Sequence, residues 1–128
     1  MDQEKINKLP PDVKKQFLKL GLKLSEKKTK TKVHDDFLSF VKHVWPEFIE
    51  GAHHKEIAEK FNQIAQGKIK RLIINMPPRH TKSEFASFLL PAWMVGRKPD
   101  LKIIQTTHTT ELAIRFGRKA KTLMDDPI

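Results

Sequence analysis

The sequence predicts an α/β chain in which a parallel sheet carries flanking helices and follows an N-terminal helical region. Three observations predict it. Two short apolar runs rich in β-branched residues, Leu72-Ile73-Ile74 and Lys102-Ile103-Ile104-Gln105-Thr106, read as buried strands. Each precedes a stretch whose apolar residues recur at helical spacing. Their order, strand, loop, helix, strand, helix, is a βαβ unit, which implies a right-handed crossover and ligands at the strands' carboxyl ends.

Before the first strand, three helical patterns follow one another. Pro10-Pro11 and then Asp12 suit a helix start, and Val13, Phe17, Leu20 and Leu24 form one apolar stripe until Lys27-Lys28-Thr29-Lys30-Thr31-Lys32 interrupts it. An amphipathic helix and a charged linker are expected there, so residues 1–32 form a basic helical extension. A second pattern runs from Val33 through Phe37, Phe40 or Val41 to Val44 and Trp45, and Pro46 closes it. The third, Ile57, Phe61, Ile64 and Ala65, stops at Gly67, which takes a left-handed cap most readily. After the first strand, Phe85, Phe88, Leu89, Ala92 and Trp93 line a helix that stops near Gly96, with Phe88 and Trp93 facing the sheet as core. Leu112, Phe116, Ala120 and Leu123 line the last helix. With two strands only, the expected sheet keeps open edges and reads as truncated.

Composition narrows the function classes. Hydrophobic residues at 38% and charged residues at 31% support a folded core. No apolar run approaches the roughly 18–20 residues of a bilayer span, and Met1-Asp2-Gln3-Glu4-Lys5 lacks a signal-peptide core, so a soluble, non-secreted, membrane-free protein is expected. The absence of cysteine removes disulfides and thiolate metal sites. The formal charge is 25 − 15 = +10, with +6 in residues 1–32, where 10 lysines face 4 acids. Such an excess suits polyanions, either DNA or nucleotide phosphates, and also suits a merely solvated lysine face.

Met76-Pro77-Pro78-Arg79-His80-Thr81-Lys82-Ser83 lies between expected strand and helix, where the phosphate-loop pattern G-x-x-x-x-G-K-[ST] must lie to work. Backbone N–H groups and the positive end of the following helix surround phosphates there, and a lysine neutralises them. Lys82 takes that place, and Ser83 would offer its hydroxyl to Mg²⁺. Met76 and Thr81 stand where the pattern has glycine. The competing reading is an ordinary turn in which Thr81 or Ser83 caps the helix and Lys82 is a surface lysine.

The run from Arg71 through Glu84, then Leu90-Pro91-Ala92-Trp93 and Gly96-Arg97, is similar to the ATPase motif block of tailed-phage terminase large subunits. The likeness continues through Lys102–His108, Glu111–Ala113 and Phe116–Arg118, and reaches back weakly to Trp45-Pro46 and His53-His54. The resemblance implies a P-loop NTPase-like fold over residues 33–128 and a DNA-packaging ATPase using ATP and Mg²⁺. It places the phosphates at Pro78, Arg79, His80, Thr81, Lys82 and Ser83, with Lys82 on the β- and γ-phosphates, Ser83 on Mg²⁺ through the nucleotide, and Arg79 as the γ-phosphate sensor. It further implies double-stranded viral DNA, a portal protein and a small terminase subunit as partners. It also implies a homo-oligomeric ring and a site of action in the host cytoplasm at the procapsid portal. Where this family usually has glycine, Thr81 stands, and its Cβ would crowd a loop that needs positive φ.

Other residues carry weaker signals. His53-His54 suggests a metal pair, but neighbours on a helix should diverge and no third ligand is spaced to join them. This family places an adenine-contacting segment upstream of the phosphate loop, so the resemblance implies that the region Trp45–His54 flanks the base; the competing reading is ordinary core and helix-cap residues. Thr106-Thr107-His108-Thr109 reads as the cap of the last helix more readily than as a ligand contact. Asp35-Asp36 and Asp125-Asp126 read as helix-end residues, so the acidic pair that hydrolysis requires after an apolar strand, and the carboxylate-rich nuclease domain, are expected to lie outside this chain. A helicase-like ATPase and a non-catalytic basic DNA-binding module are the alternatives.

Overall fold

A computed structural model describes residues 10–125; the opening residues of the basic extension, and Asp126, lie outside them. The chain divides after Thr31 into two compact units. Among the described residues the helices are α1 (Pro11–Asp35), α2 (Phe37–Val44), α3 (Ala52–Ala65), α4 (Lys82–Glu84), α5 (Leu90–Arg97) and α6 (Thr110–Asp125). A π-helical stretch, Phe85–Leu89, joins α4 to α5 without a break.

The expected α/β parallel sheet is overturned: the described residues contain no strand and no sheet, and the protein is helical. The physical reason lies in what the two apolar runs touch. Leu72, Ile74 and Met76 pack alternately onto the helical core, while Ile73 between them is 86% exposed. The second run leaves Ile104 92% exposed and is held to the π-helical stretch by Gln105, whose Nε2 donates to the Ser87 carbonyl at 3.0 Å. Two short runs bury too little to stand as a sheet, and helices have already taken the apolar faces it would cover.

The first unit consists, among its described residues, of α1 up to Thr31. The lysine-rich run expected as a linker is helical. Lysine is a good helix former and no proline or glycine interrupts residues 27–32; the Thr29 and Thr31 hydroxyls are accommodated by donating back to the Ser25 and Lys27 carbonyls at 3.0 Å each. The apolar stripe is exposed, with Phe17 at 40% and Leu20 at 57%.

The second unit is built around Phe37. Asp36 stops α1 by its extended backbone (φ −125°, ψ 120°) and starts α2 as its N-cap, with its carboxylate accepting from the Ser39 N–H at 2.8 Å. Asn62 of α3 ties the two helices together: its Nδ2 donates to Asp36 at 2.9 Å and its Oδ1 accepts from the Phe37 N–H at 2.9 Å. Burial alone would raise the Asp36 pKa, but the bonds from Ser39 and Asn62, with Lys32 nearby, hold it below the ordinary aspartate value.

Phe37 is fully buried and meets Phe61, Phe85 and Trp93 edge-on at 5.1, 5.4 and 5.4 Å, with Phe40 tilted at 6.4 Å. Trp93 therefore faces the first helices and not a sheet, and its Nε1–H donates to the Val33 carbonyl at 3.1 Å. That bond satisfies one of the carbonyls left open at the end of α1. Phe88 is half-buried, with the Lys119 ammonium 5.4 Å from its ring. Helix α6 buries Phe116 and Ala120, and Thr109 caps it by accepting from the Leu112 N–H at 3.3 Å, as the Thr106–Thr109 segment predicted. Gly67 adopts the expected left-handed conformation, φ +75°, after α3. No helix of the described residues is long and apolar enough to cross a membrane.

Phe37→Ala removes the shared partner of four rings, so a loss of about 3–5 kcal/mol is expected. Domains are stable by only about 5–15 kcal/mol. Urea unfolding followed by tryptophan fluorescence should show a large drop in midpoint, and an unchanged midpoint would contradict the central place of this ring.

Candidate phosphate-binding site

The loop Pro78–Ser83 has an unusual backbone. Arg79 (φ 66°) and Thr81 (φ 56°) are the non-glycine residues with positive φ among those described. They flank His80, and Lys82 begins α4 immediately after. Left-handed residues alternating with right-handed ones make successive N–H groups converge into an anion-binding concavity. The conformation has a cost: an L-residue in the left-handed region loses about 1–2 kcal/mol, and a β-branched residue such as threonine tolerates it poorly. Thr81 thus occupies the positive-φ position that its sequence context flagged as crowding.

Thr81 is the N-cap of α4 by position, yet its side chain makes no cap hydrogen bond. Its hydroxyl donates instead to the His80 carbonyl at 2.7 Å and receives a bond from His54 Nε2 at 2.7 Å. The ordinary-turn reading, with Thr81 as a helix cap, does not describe this loop. The first-turn N–H groups of a helix have no intrahelical partner, and here the hydroxyl that would serve them is turned away.

Lys82 is half-buried and its ammonium donates to the Met76 carbonyl at 2.7 Å, which folds the side chain back across the loop. His80 Nδ1–H donates to the Pro78 carbonyl at 2.9 Å. Pro78, Arg79, His80 and Ser83 are exposed, and residues 78–84 line a depression of about 470 Å³. Glu84, at the wall of that depression, is paired with Lys119 of α6 at 3.0 and 3.1 Å. The pair neutralises the one carboxylate that would repel an anion there.

His54, suggested by the sequence only as half of a metal pair or as part of an adenine-flanking segment, meets the phosphate loop at Thr81. It lies in the first turn of α3, is 6% exposed, and packs against Phe48 and Phe85 with ring centroids at 4.8 and 5.2 Å. The Gly51 N–H donates to its Nδ1 at 2.9 Å, so Nε2 carries the proton and donates to Thr81. Burial holds its pKa below the ordinary histidine value; His53 and His80 act in the same direction and Glu50 opposes them. The signal in the sequence was Gly51-x-x-His54, an N-cap followed three residues later by a side chain able to reach back. Contrary to expectation, the His53 and His54 rings do not diverge but lie 3.8 Å apart, because His54 curls back to Gly51. Glu50, before α3, accepts from Lys42 of α2 and from Lys55 at 3.1 Å, and both lysines lower its pKa. Trp45 and Phe48 meet at 5.5 Å with their rings tilted by 48°.

The structure therefore brings Arg79, Thr81, Lys82 and Ser83 into one loop at a helix start. It does not bring Asp36 to them, because that carboxylate is spent on the α2 cap. Searches of family signatures, characterised proteins and solved structures found no match to this chain.

The His54 environment has a pH signature. Its pKa in the folded chain lies below the usual 6.5, so the unfolded chain holds the proton more tightly. Stability from this group is complete above that usual value and is lost as pH falls towards the lowered one. Urea midpoints measured from pH 8 to 5 should decline below about pH 6.5, and His54→Gln should flatten that decline.

Proposed function

We propose that the loop Pro78–Ser83 binds the phosphates of ATP with Mg²⁺, and that the chain is the nucleotide-binding portion of a viral DNA-packaging ATPase of the terminase large-subunit kind. One observation carries the reading: Thr81 holds a left-handed conformation at the start of a helix with its hydroxyl turned off the helix end, beside Lys82. A threonine capping a turn has no reason to bear that strain, whereas an anion cradle does. The similarity of residues 71–97 to the terminase motif block supports the nucleotide as ATP.

In this reading Lys82 leaves the Met76 carbonyl for the β- and γ-phosphates, and Ser83, exposed in the first turn, reaches Mg²⁺. Arg79 and His80 project beside the γ-phosphate, with Arg79 as its sensor. The reaction of the whole machine is ATP hydrolysis coupled to DNA translocation. The reading extends to a homo-oligomeric ring, a portal protein and a small terminase subunit in the host cytoplasm.

Double-stranded DNA is the polyanion proposed for α1. Lys15, Lys19, Lys23, Lys27, Lys28, Lys30 and Lys32 are all exposed on it. Phosphates are met in this way without sequence preference, through counterion release.

Titration of the 128-residue chain with the fluorescent nucleotide mant-ATP and Mg²⁺ tests the first proposal. Lys82→Ala should weaken binding by roughly 10- to 100-fold, the range for removal of a charge-assisted bond; equal binding by both chains would sink it. For DNA, the triple change Lys19→Ala, Lys23→Ala and Lys27→Ala should lower the slope of log affinity against log salt by roughly 0.9 for each phosphate no longer neutralised. An unaltered slope would remove α1 from the DNA surface.

A further inference from the structure

We propose that His54 is a positioning residue for the phosphate loop: its Nε2–H clamps the Thr81 hydroxyl and so holds the left-handed backbone that shapes the loop for an anion. The inference rests on the phosphate-binding reading of Pro78–Ser83 and adds to it a part supplied from outside the loop, 27 residues upstream.

The clamp is a directed chain of hydrogen bonds. The Gly51 N–H donates to Nδ1 at 2.9 Å, Nε2–H donates to Thr81 Oγ1 at 2.7 Å, and Oγ1 donates to the His80 carbonyl at 2.7 Å. Each member therefore has its role dictated by the one before it. The Thr81 hydroxyl is held from both sides, which fixes χ1 and with it the peptide that turns into α4. The imidazole cannot drift, because it is 6% exposed and wedged between Phe48 and Phe85.

The need for a clamp follows from the residue at position 81. Glycine visits the left-handed region freely, whereas threonine must be kept there by its surroundings. The loop substitutes a side-chain bond for the missing conformational freedom. His54 and Thr81 are thus energetically coupled, and the coupling should vanish when glycine removes the strain.

A double-mutant cycle reads this directly. His54→Phe keeps the ring volume but removes both hydrogen bonds, and His54→Gln keeps a donor for Thr81. With mant-ATP and Mg²⁺ as the probe, His54→Phe should weaken binding about fivefold, the worth of one net hydrogen bond, and His54→Gln should restore most of it. In a Thr81→Gly background the same His54→Phe change should have almost no effect. A fivefold loss in both backgrounds would show His54 acting on the fold alone and would overturn the proposal.

A second arm does not depend on nucleotide. Limited trypsin digestion, mapped by mass spectrometry, should show cleavage after Arg79 accelerated in His54→Phe and near the wild-type rate in His54→Gln, with cleavage after Lys70 unchanged. Wild-type cleavage after Arg79 in His54→Phe would also overturn the clamp. Should Lys82→Ala bind mant-ATP as well as the parent chain does, the phosphate reading falls, and this arm still decides whether His54 holds the loop.

Discussion

Phe37 is the residue on which the second unit depends. One ring, wholly excluded from solvent, touches α3 through Phe61, the π-helical stretch through Phe85 and α5 through Trp93. Edge-to-face pairs each add about 0.5–1.5 kcal/mol beyond the area they bury. More important than the sum is the geometry: three segments are oriented against the same ring. The polar clasp around it, Asp36, Ser39 and Asn62, fixes the angle at which the ring enters the core. Phe85 is also the residue that follows α4, so the phosphate loop is mounted on the core by a single turn of chain.

That mounting explains how a strained loop persists. Arg79 and Thr81 both occupy conformations that a free peptide avoids. Their strain is offset by rigid neighbours on both sides. Pro77 and Pro78 stand at its entry, and after it comes the helical segment rooted at Phe85 and Leu89, both almost completely buried. His54 belongs to the same aromatic cluster, packed against Phe85 with the rings tilted by 39°. Core, loop and α3 therefore share one set of neighbours, and strain in the loop is resisted by packing elsewhere.

Helices were legible in the sequence because their apolar spacing is the same signal that packing uses. Phe37, Phe40, Val41, Ile57, Phe61, Phe116 and Ala120 stand out by periodicity and are buried. The end signals at Asp36, Gly67 and Thr109 were likewise local and chemical. The sheet was misread because Leu72–Ile74 and Ile103–Ile104 have strong β propensity, and propensity says nothing about whether a partner strand is available. Tertiary context decided the matter in favour of helical packing. The clamp at His54 was invisible for a related reason: it depends on two residues 27 positions apart meeting in space, and only the Gly51-x-x-His54 spacing hinted at it. Lys82 and Thr81 were legible as loop residues, whereas the direction of the Thr81 hydroxyl was not.

The isoleucines left outside the core have a consequence for the chain in concentrated solution. Ile73 and Ile104 lie on segments without ladder partners, and each is almost wholly in contact with water. Such β-prone, solvent-facing runs are where chains begin to adhere to one another. Against this stands a formal charge of +10, which keeps molecules apart only over the Debye length, about 10 Å at 0.1 M salt and about 3 Å at 1 M. The colloidal stability of the protein is therefore a contest between exposed apolar side chains, these isoleucines among them, and a lysine cloud. Added electrolyte tips that contest towards association by thinning the cloud while leaving the isoleucines as they are.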